Sequence, residues 1–458
     1  MDNNELNKTL RPFQLWVIGV GIVISGNFLG WNFGLLESGY VGMLIAICLM
    51  AIMYLFMCFG ISELSTIMPY AGGPYSFARR AMGPYIGFIT GIGVILEYFI
   101  AGTVVSIGVG AYISFLFPTI STLLAAAIMY VFFSIIHIIG VKEYARLEGV
   151  LVIISLTLLV LMYFVGFPHI DTAKLIGGIN GSLIPSGFKG VLIAIPYAMW
   201  LFLGIEMLPM MAEETRNVKK DMSKGILTGM VTLLILAILT TLLAIGLAGI
   251  EQMSNAKDPL PMAVATAFGD TYWLAQMLAS IGLIGLIASF SGIILAYSRQ
   301  IFSLSRSRYL PGFLSKLHNK RKTPYVAIAL PSILGLLIIM FFNPNDLILV
   351  ATFGALVSYI TMNLSVIILR KKEPDLVRYY KTPLYPIAPI VSIILAVIAL
   401  IANFLTNLSF FWISLGVFAI ATIYYFAWGK NNINSHAPEE QFIQNLSHQD
   451  IQNENMTV

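Results

Sequence analysis

The feature that most constrains this chain is the length of its charge-free stretches. Residues 14–36 and 38–62 carry no charge, and neither do residues 98–141 or 382–429. A helix needs about 20 apolar residues to cross the hydrocarbon of a bilayer. Lipid offers the backbone no hydrogen-bond partners, so such segments must be helical. Composition agrees: 58% of residues are hydrophobic and 10% charged, against about 45–50% and about 25% in ordinary soluble domains. That balance excludes a cytosolic enzyme, a disordered chain and a nucleic-acid-binding protein. The expected class is an all-α polytopic membrane protein embedded in the lipid bilayer.

Twelve transmembrane helices are expected, near 14–36, 41–62, 84–113, 120–140, 148–167, 189–211, 226–248, 272–298, 325–343, 347–369, 385–403 and 409–428. Ten or eleven is the alternative, if the last pair is one re-entrant hairpin. With twelve, 23 of the 26 Lys and Arg fall on the side of the N-terminus, and only Lys174, Lys189 and Lys257 fall on the other. The positive-inside rule then puts both termini in the cytoplasm of a cell membrane. Residues 1–13 form an N-terminal segment, 14–429 the transporter-sized helical domain, and 430–458 a polar tail. The tail is rich in Asn and Gln and is expected to be disordered and dispensable. The first span is preceded by Asp2 and Glu5, unlike a signal peptide.

Two spans carry interruptions. Span one contains Ser25-Gly26-Asn27, where Gly weakens the helix and Ser and Asn compete for backbone. Span six contains Pro196 and Gly204 around Trp200 and Phe202. Interrupted helices at corresponding places in two halves point to a transporter's binding site. Close helix packing through small residues is the plainer alternative. Glu97 lies mid-span with no Lys or Arg in any span interior to pair with it. Such an acid costs about 2.5–3.5 kcal/mol or more unless paired, protonated or hydrated. Glu206 lies nearer a span end, where a gate role competes with a proton or substrate role. Ser289 and Ser291 in span eight, and Thr352 and Ser358 in span ten, could bind an ion or substrate. They are more simply read as bonding their own helices. Cys48 and Cys58 sit about 15 Å apart on one helix and cannot bridge. No metal, phosphate-loop or nucleophile motif is present, so no cofactor and no enzymatic activity are expected.

Residues 60–84 contain Glu63-Leu64, Pro69, Gly72-Gly73-Pro74-Tyr75 and Gly83-Pro84. This stretch resembles the hallmark segment of the amino acid–polyamine–organocation permeases. Trp200, Phe202, Gly204 and Glu206 are similar to the span-six segment of their arginine/agmatine antiporter branch. Glu213-Glu214-Thr215-Arg216-Asn217 and the region from Arg299 to Pro324 also look like that family. Around Ser25-Gly26-Asn27-Phe28 and Gly30-Trp31-Asn32, span one is closer to the ethanolamine-permease branch. The resemblance implies a LeuT-type five-plus-five inverted repeat with helices 1 and 6 broken, and a substrate bound between the breaks. It implies substrate-binding roles for Ser25, Gly26, Asn27, Trp31, Glu97, Trp200, Phe202 and Gly204. Coupling or gating would fall to Glu206, Ser155 and Ser289. Some proton-coupled members have a lysine where Ser155 stands, which argues against lysine-mediated proton coupling and leaves exchange, facilitated uptake, another proton carrier or sodium open.

The function expected is secondary transport of a small amine by alternating access. Ethanolamine is the first candidate, because Asn27 offers an amide suited to a hydroxyl and brings no positive charge for a carboxylate. The alternatives are an amino acid permease or exchanger and, from another class, a transporter-like sensor without flux.

Overall fold

The computed structural model describes residues 10–69, 72–140, 144–176, 181–269 and 273–434, together with 437 and 440. The first helix is α1 (Pro12–Val23) continued by α2 (Ser25–Phe28), and a 3-10 turn at Trp31–Gly34 leads into α3 (Leu35–Ile67). Short α4 (Gly73–Met82) precedes α5 (Pro84–Leu116), α6 (Thr122–Ile139), α7 (Tyr144–Gly166) and the single turn α8 (Thr172–Ile176). Next, α9 (Gly187–Trp200) passes through an open turn into a 3-10 helix at Ile205–Glu214. Then come α10 (Val218–Ala248), short α11 (Ile250–Asn255) and α12 (Pro259–Phe268), and α13 (Trp273–Arg306). The chain ends with α14 (Tyr325–Ile338), α15 (Pro344–Lys372), α16 (Ile387–Thr406), α17 (Leu408–Tyr424) and the turn α18 (Lys430–Asn432).

Among the described residues, ten helices are long and apolar enough to cross a membrane. Two of the twelve expected spans fall short of that length, Pro12–Phe28 and Tyr325–Ile338. The first is short because it breaks. The 14 residues of α14 rise only about 21 Å, less than the ~30 Å hydrocarbon. α16 and the run Leu408–Asn432 that begins with α17 are separate, each long enough to span, rather than one shallow hairpin.

The helices divide by what they touch. α6, α14 and α17 expose Phe132, Ile333 and Ile420, a surface that only lipid tails suit. α5 and α15 lie inside and cross at glycine. A side chain on Gly93 would meet the Gly354 carbonyl oxygen at 2.7 Å, and one on Gly354 would meet that of Gly93 at 2.7 Å. This close approach sets Glu97, one turn beyond Gly93, beside Tyr359.

The basic ends of the helices are tied together on one face. Leu10 N–H bonds to Glu214 O at 3.0 Å, and Arg216 N–H to Leu10 O at 2.8 Å. Arg299 pairs with Glu214 at 2.9 Å, and buried Glu63 takes Arg370 at 2.6 Å and Arg378 at 3.1 Å. The tail departs from the expected disorder where it is described. It begins as α18, and Ala437 and Glu440 are buried. Residues 1–9 and 441–458 lie outside the described residues.

Candidate functional site

The first helix is interrupted at Ile24, just before Ser25-Gly26-Asn27, and opens fully only beyond that triplet. Ser25–Phe28 is a helical turn, held by Asn27 N–H to Ile24 O at 3.0 Å and Leu29 N–H to Ser25 O at 3.1 Å. Helical geometry ends at Leu29, which is extended, and at Gly30 with φ 94°. Only glycine takes that conformation without strain, so the break falls where the chain supplies one. Asn32 Oδ1 accepts from Gly30 N–H at 3.2 Å and fixes the turn, while its amide donates to Met253 O at 2.7 Å. The sixth helix does break where expected, in the turn 201–204 that ends on Gly204 with φ 115°.

Gly26 keeps a structural task. A side chain there would meet the Trp200 carbonyl oxygen at 2.6 Å and Leu201 Cα at 3.0 Å. The first helix therefore lies backbone-to-backbone against the break of the sixth. A third element closes the junction. Ser289 of α13 donates to the carbonyl of Ile22, and its hydroxyl lies 2.7 Å from that of Ser25.

Beside this junction lies a small enclosed space lined by Ile22, Ser25, Tyr98, Ala101, Trp200, Leu203 and Ile293. It measures about 10 Å³, so a substrate enters only if the flanking helices part. On the basic side, Ile22 separates it from a cavity of about 530 Å³ between the first, fifth, sixth and eighth expected spans. Val17, Gly21, Val152, Met207 and Leu295 line that cavity, and Glu214 and Arg299 stand at its rim.

Next to the small space is a buried acid cluster. Glu97 and Glu206 are both fully buried. Tyr359 donates toward Glu206 Oε2 at 3.0 Å and lies 3.2 Å from Glu97 Oε1. Tyr98 donates to Glu206 Oε1 at 2.6 Å, and Gly204 N–H lies 3.2 Å from Oε2. Tyr54 and Tyr359 are 3.2 Å apart, oxygen to oxygen. Tyr359 has one proton and two carboxyls to serve. The two buried carboxyls therefore share a single hydroxyl donor. Among the described residues, Glu97 Oε2 has no hydrogen-bond partner.

The expected residues are thus partly brought together. Ser25 meets Ser289, Gly26 meets the turn after Trp200, and Glu97 meets Glu206 through Tyr359. Glu206 bonds tyrosines and its own turn, not the basic loops. Asn27 turns toward α10, accepting from Thr240 at 3.1 Å on Oδ1. Trp31 is buried beyond the break, outside the small space, and Phe202 packs against Tyr54 at 5.5 Å between ring centres. Ser155 is buried, has no hydrogen-bond partner among the described residues, and faces Gly285 of α13. Ser358 and Thr352 do bond their own helices, whereas Ser291 meets His137 at 2.8 Å. Tyr54, Tyr98 and Tyr359 were not anticipated. Tyr98 follows Glu97 directly, but Tyr359 is 262 residues away from that acid.

A family profile described as amino acid permease matches residues 10–428. The chain belongs to the amino acid permease family. Among its relatives is the branched-chain amino acid permease of Bacillus subtilis (strain 168), 28% identical over 408 residues, covering 84% of this chain and 85% of that one. The methylthioribose transporter of the same organism is 26% identical over 451 residues, covering 94% and 95%. The vacuolar cationic amino acid transporter 4 of Arabidopsis thaliana is 24% identical over 397 residues, covering 81% and 65%. The permease is therefore a multi-pass membrane protein that handles a small molecule, with two broken helices meeting beside a buried acid pair.

Proposed function

We propose that this permease is a secondary transporter of amino acids with apolar side chains. The observation that carries this reading is the lining of the space where the two broken helices meet. Ile22, Ala101, Leu203 and Ile293 supply aliphatic surface and Trp200 a ring, with only Ser25 and Tyr98 polar. An aliphatic side chain gains about 0.8 kcal/mol per CH₂ buried there, and leucine brings more apolar carbon to that surface than ethanolamine does. The open turns at Leu29–Gly30 and 201–204 offer carbonyl groups for an ammonium. Asn27 bears on the choice too. Its acceptor is engaged by Thr240 while Nδ2 has no partner. What remains is a donor, as suitable for a carboxylate oxygen as for a hydroxyl. The names of the branched-chain and cationic amino acid relatives favour amino acids over ethanolamine in the same direction.

In this reading the permease has twelve spans in a LeuT-type repeat, with its basic face cytoplasmic. The coupled ion is a proton held by Glu97 and Glu206. Ser25 and Ser289 fasten the first helix to α13, and Ser155 lies on the same contact. Exit toward the basic face requires Ile22 and the inner half of the sixth helix to move, which opens the small space into the 530 Å³ cavity.

The test is flux of labelled L-leucine into proteoliposomes holding the purified protein. Saturable uptake supports the proposal. Binding without flux would make the protein a sensor, and ethanolamine flux without leucine flux would return the amino-alcohol reading.

A further inference from the structure

The chain after α18 is polar, yet Glu440 is only 1% exposed. One of its carboxylate oxygens accepts from Arg79 Nη2 at 2.7 Å and Nε at 3.1 Å. The other accepts from the Tyr75 hydroxyl at 2.9 Å and the Tyr309 hydroxyl at 3.1 Å. Arg79 Nε also lies 3.0 Å from the Tyr309 oxygen, so the receiving groups hold one another. Upstream, Asn434 N–H bonds to Ser307 O at 3.1 Å and steers the chain toward this pocket. An exposed ion pair contributes little, but a buried, charge-assisted set of this kind is geometrically demanding.

The partners come from two separate segments. Tyr75 and Arg79 lie on α4, and Tyr309 follows α13. α4 in turn packs on the inner half of the sixth helix. A side chain on Gly73 would meet Met210 Cγ at 2.9 Å. Met210 belongs to Ile205–Glu214, the piece that starts at the break and carries Glu206. One carboxylate at the end of the chain is thus mechanically connected to the element that must move for release.

We propose that the C-terminal segment is a regulatory latch, in which Glu440 docked on Arg79, Tyr75 and Tyr309 restrains α4 and, through it, Ile205–Glu214. Undocking speeds transport. The inference rests on the chain being a transporter, and not on which substrate it carries. It also reverses the expectation that the tail is dispensable.

The experiment uses the full-length protein in nanodiscs and proteoliposomes, as wild type, Glu440→Gln, Arg79→Gln and the double variant. The Glu440→Gln change keeps the shape and the hydroxyl contacts but removes the charge that holds the guanidinium. Hydrogen exchange in residues 73–82 should rise at least about threefold in each single variant. Initial uptake should rise at least about threefold with KM unchanged, and the double variant should match the singles. The substrate is whichever of leucine, alanine, arginine and ethanolamine the wild type moves. A wrong amino acid reading therefore shows in the wild type and leaves the comparison intact. Unchanged exchange would overturn the latch. So would raised exchange with unchanged or reduced uptake, which would make Glu440 a packing brace.

Discussion

Glu97 of α5 and Glu206 of the sixth helix, 109 positions apart in sequence, meet at one hydroxyl, that of Tyr359, at 3.2 and 3.0 Å. One hydroxyl thus links both buried carboxyls to the break at Gly204, whose N–H lies 3.2 Å from Glu206 Oε2.

The first prediction follows from that shared hydroxyl. Glu97→Gln keeps an acceptor for Tyr359 but cannot carry a titratable proton. Uptake stimulated by an inward proton gradient should fall at least about tenfold, a loss of about 1.4 kcal/mol in coupling. Tyr359→Phe should depress uptake similarly by leaving both carboxyls without their bridge. Initial rates measured against pH decide it; a Glu97→Gln profile that overlays the wild type would remove the acid pair from the mechanism.

Gly26 should tolerate nothing larger, for a reason of backbone contact. A branched side chain would have to displace the Trp200 carbonyl, 2.6 Å from where its first carbon would sit. Gly26→Val should abolish uptake, and Gly26→Ala should lower it by at least about tenfold through the same clash. Size-exclusion profiles of the detergent-purified variants check that folding survives. Near-normal uptake by Gly26→Val would show that the first helix need not touch the break of the sixth.

Asp258 gives the protein a pH dependence. It precedes α12 on the face opposite the basic loops, and burial raises its pKa from 3.8 to about 7, against the lowering influence of its own backbone and Lys257. A carboxyl with a higher pKa folded than unfolded binds its proton more tightly in the fold. Stability is therefore highest at low pH and falls as pH rises from about 4 to about 7. The melting temperature in detergent should drop between about pH 4 and about pH 7, and Asp258→Asn should flatten that slope and melt higher at the alkaline end. A variant with the wild-type slope would place the titration elsewhere.

Much of this architecture is legible in the sequence. Long charge-free runs locate the ten long helices, because lipid tolerates neither charge nor open backbone. The breaks are legible only in part. The Ser-Gly-Asn triplet marks only a slip of the ladder, with Asn27 N–H bonding to Ile24 O, and the chain opens at Gly30, where glycine takes φ 94°. The tyrosines around the acids are not legible. Their roles arise from the glycine crossing of α5 with α15, which joins Glu97 to a tyrosine 262 positions away. Glu440 is invisible for a related reason: a polar tail gives no sign that one of its acids matches an arginine on α4.

The most direct test of the central claim is side-chain discrimination in the space beside Ala101. Inhibition constants of leucine, alanine and ethanolamine against labelled leucine uptake would be measured for the wild type and for Ala101→Leu. The wild type should favour leucine over both competitors by at least about tenfold, about 1.4 kcal/mol. The added aliphatic chain should erase the advantage of leucine over alanine by filling the room that leucine uses. Wild-type protein that prefers ethanolamine, or an Ala101→Leu variant that keeps the full leucine preference, would contradict the account.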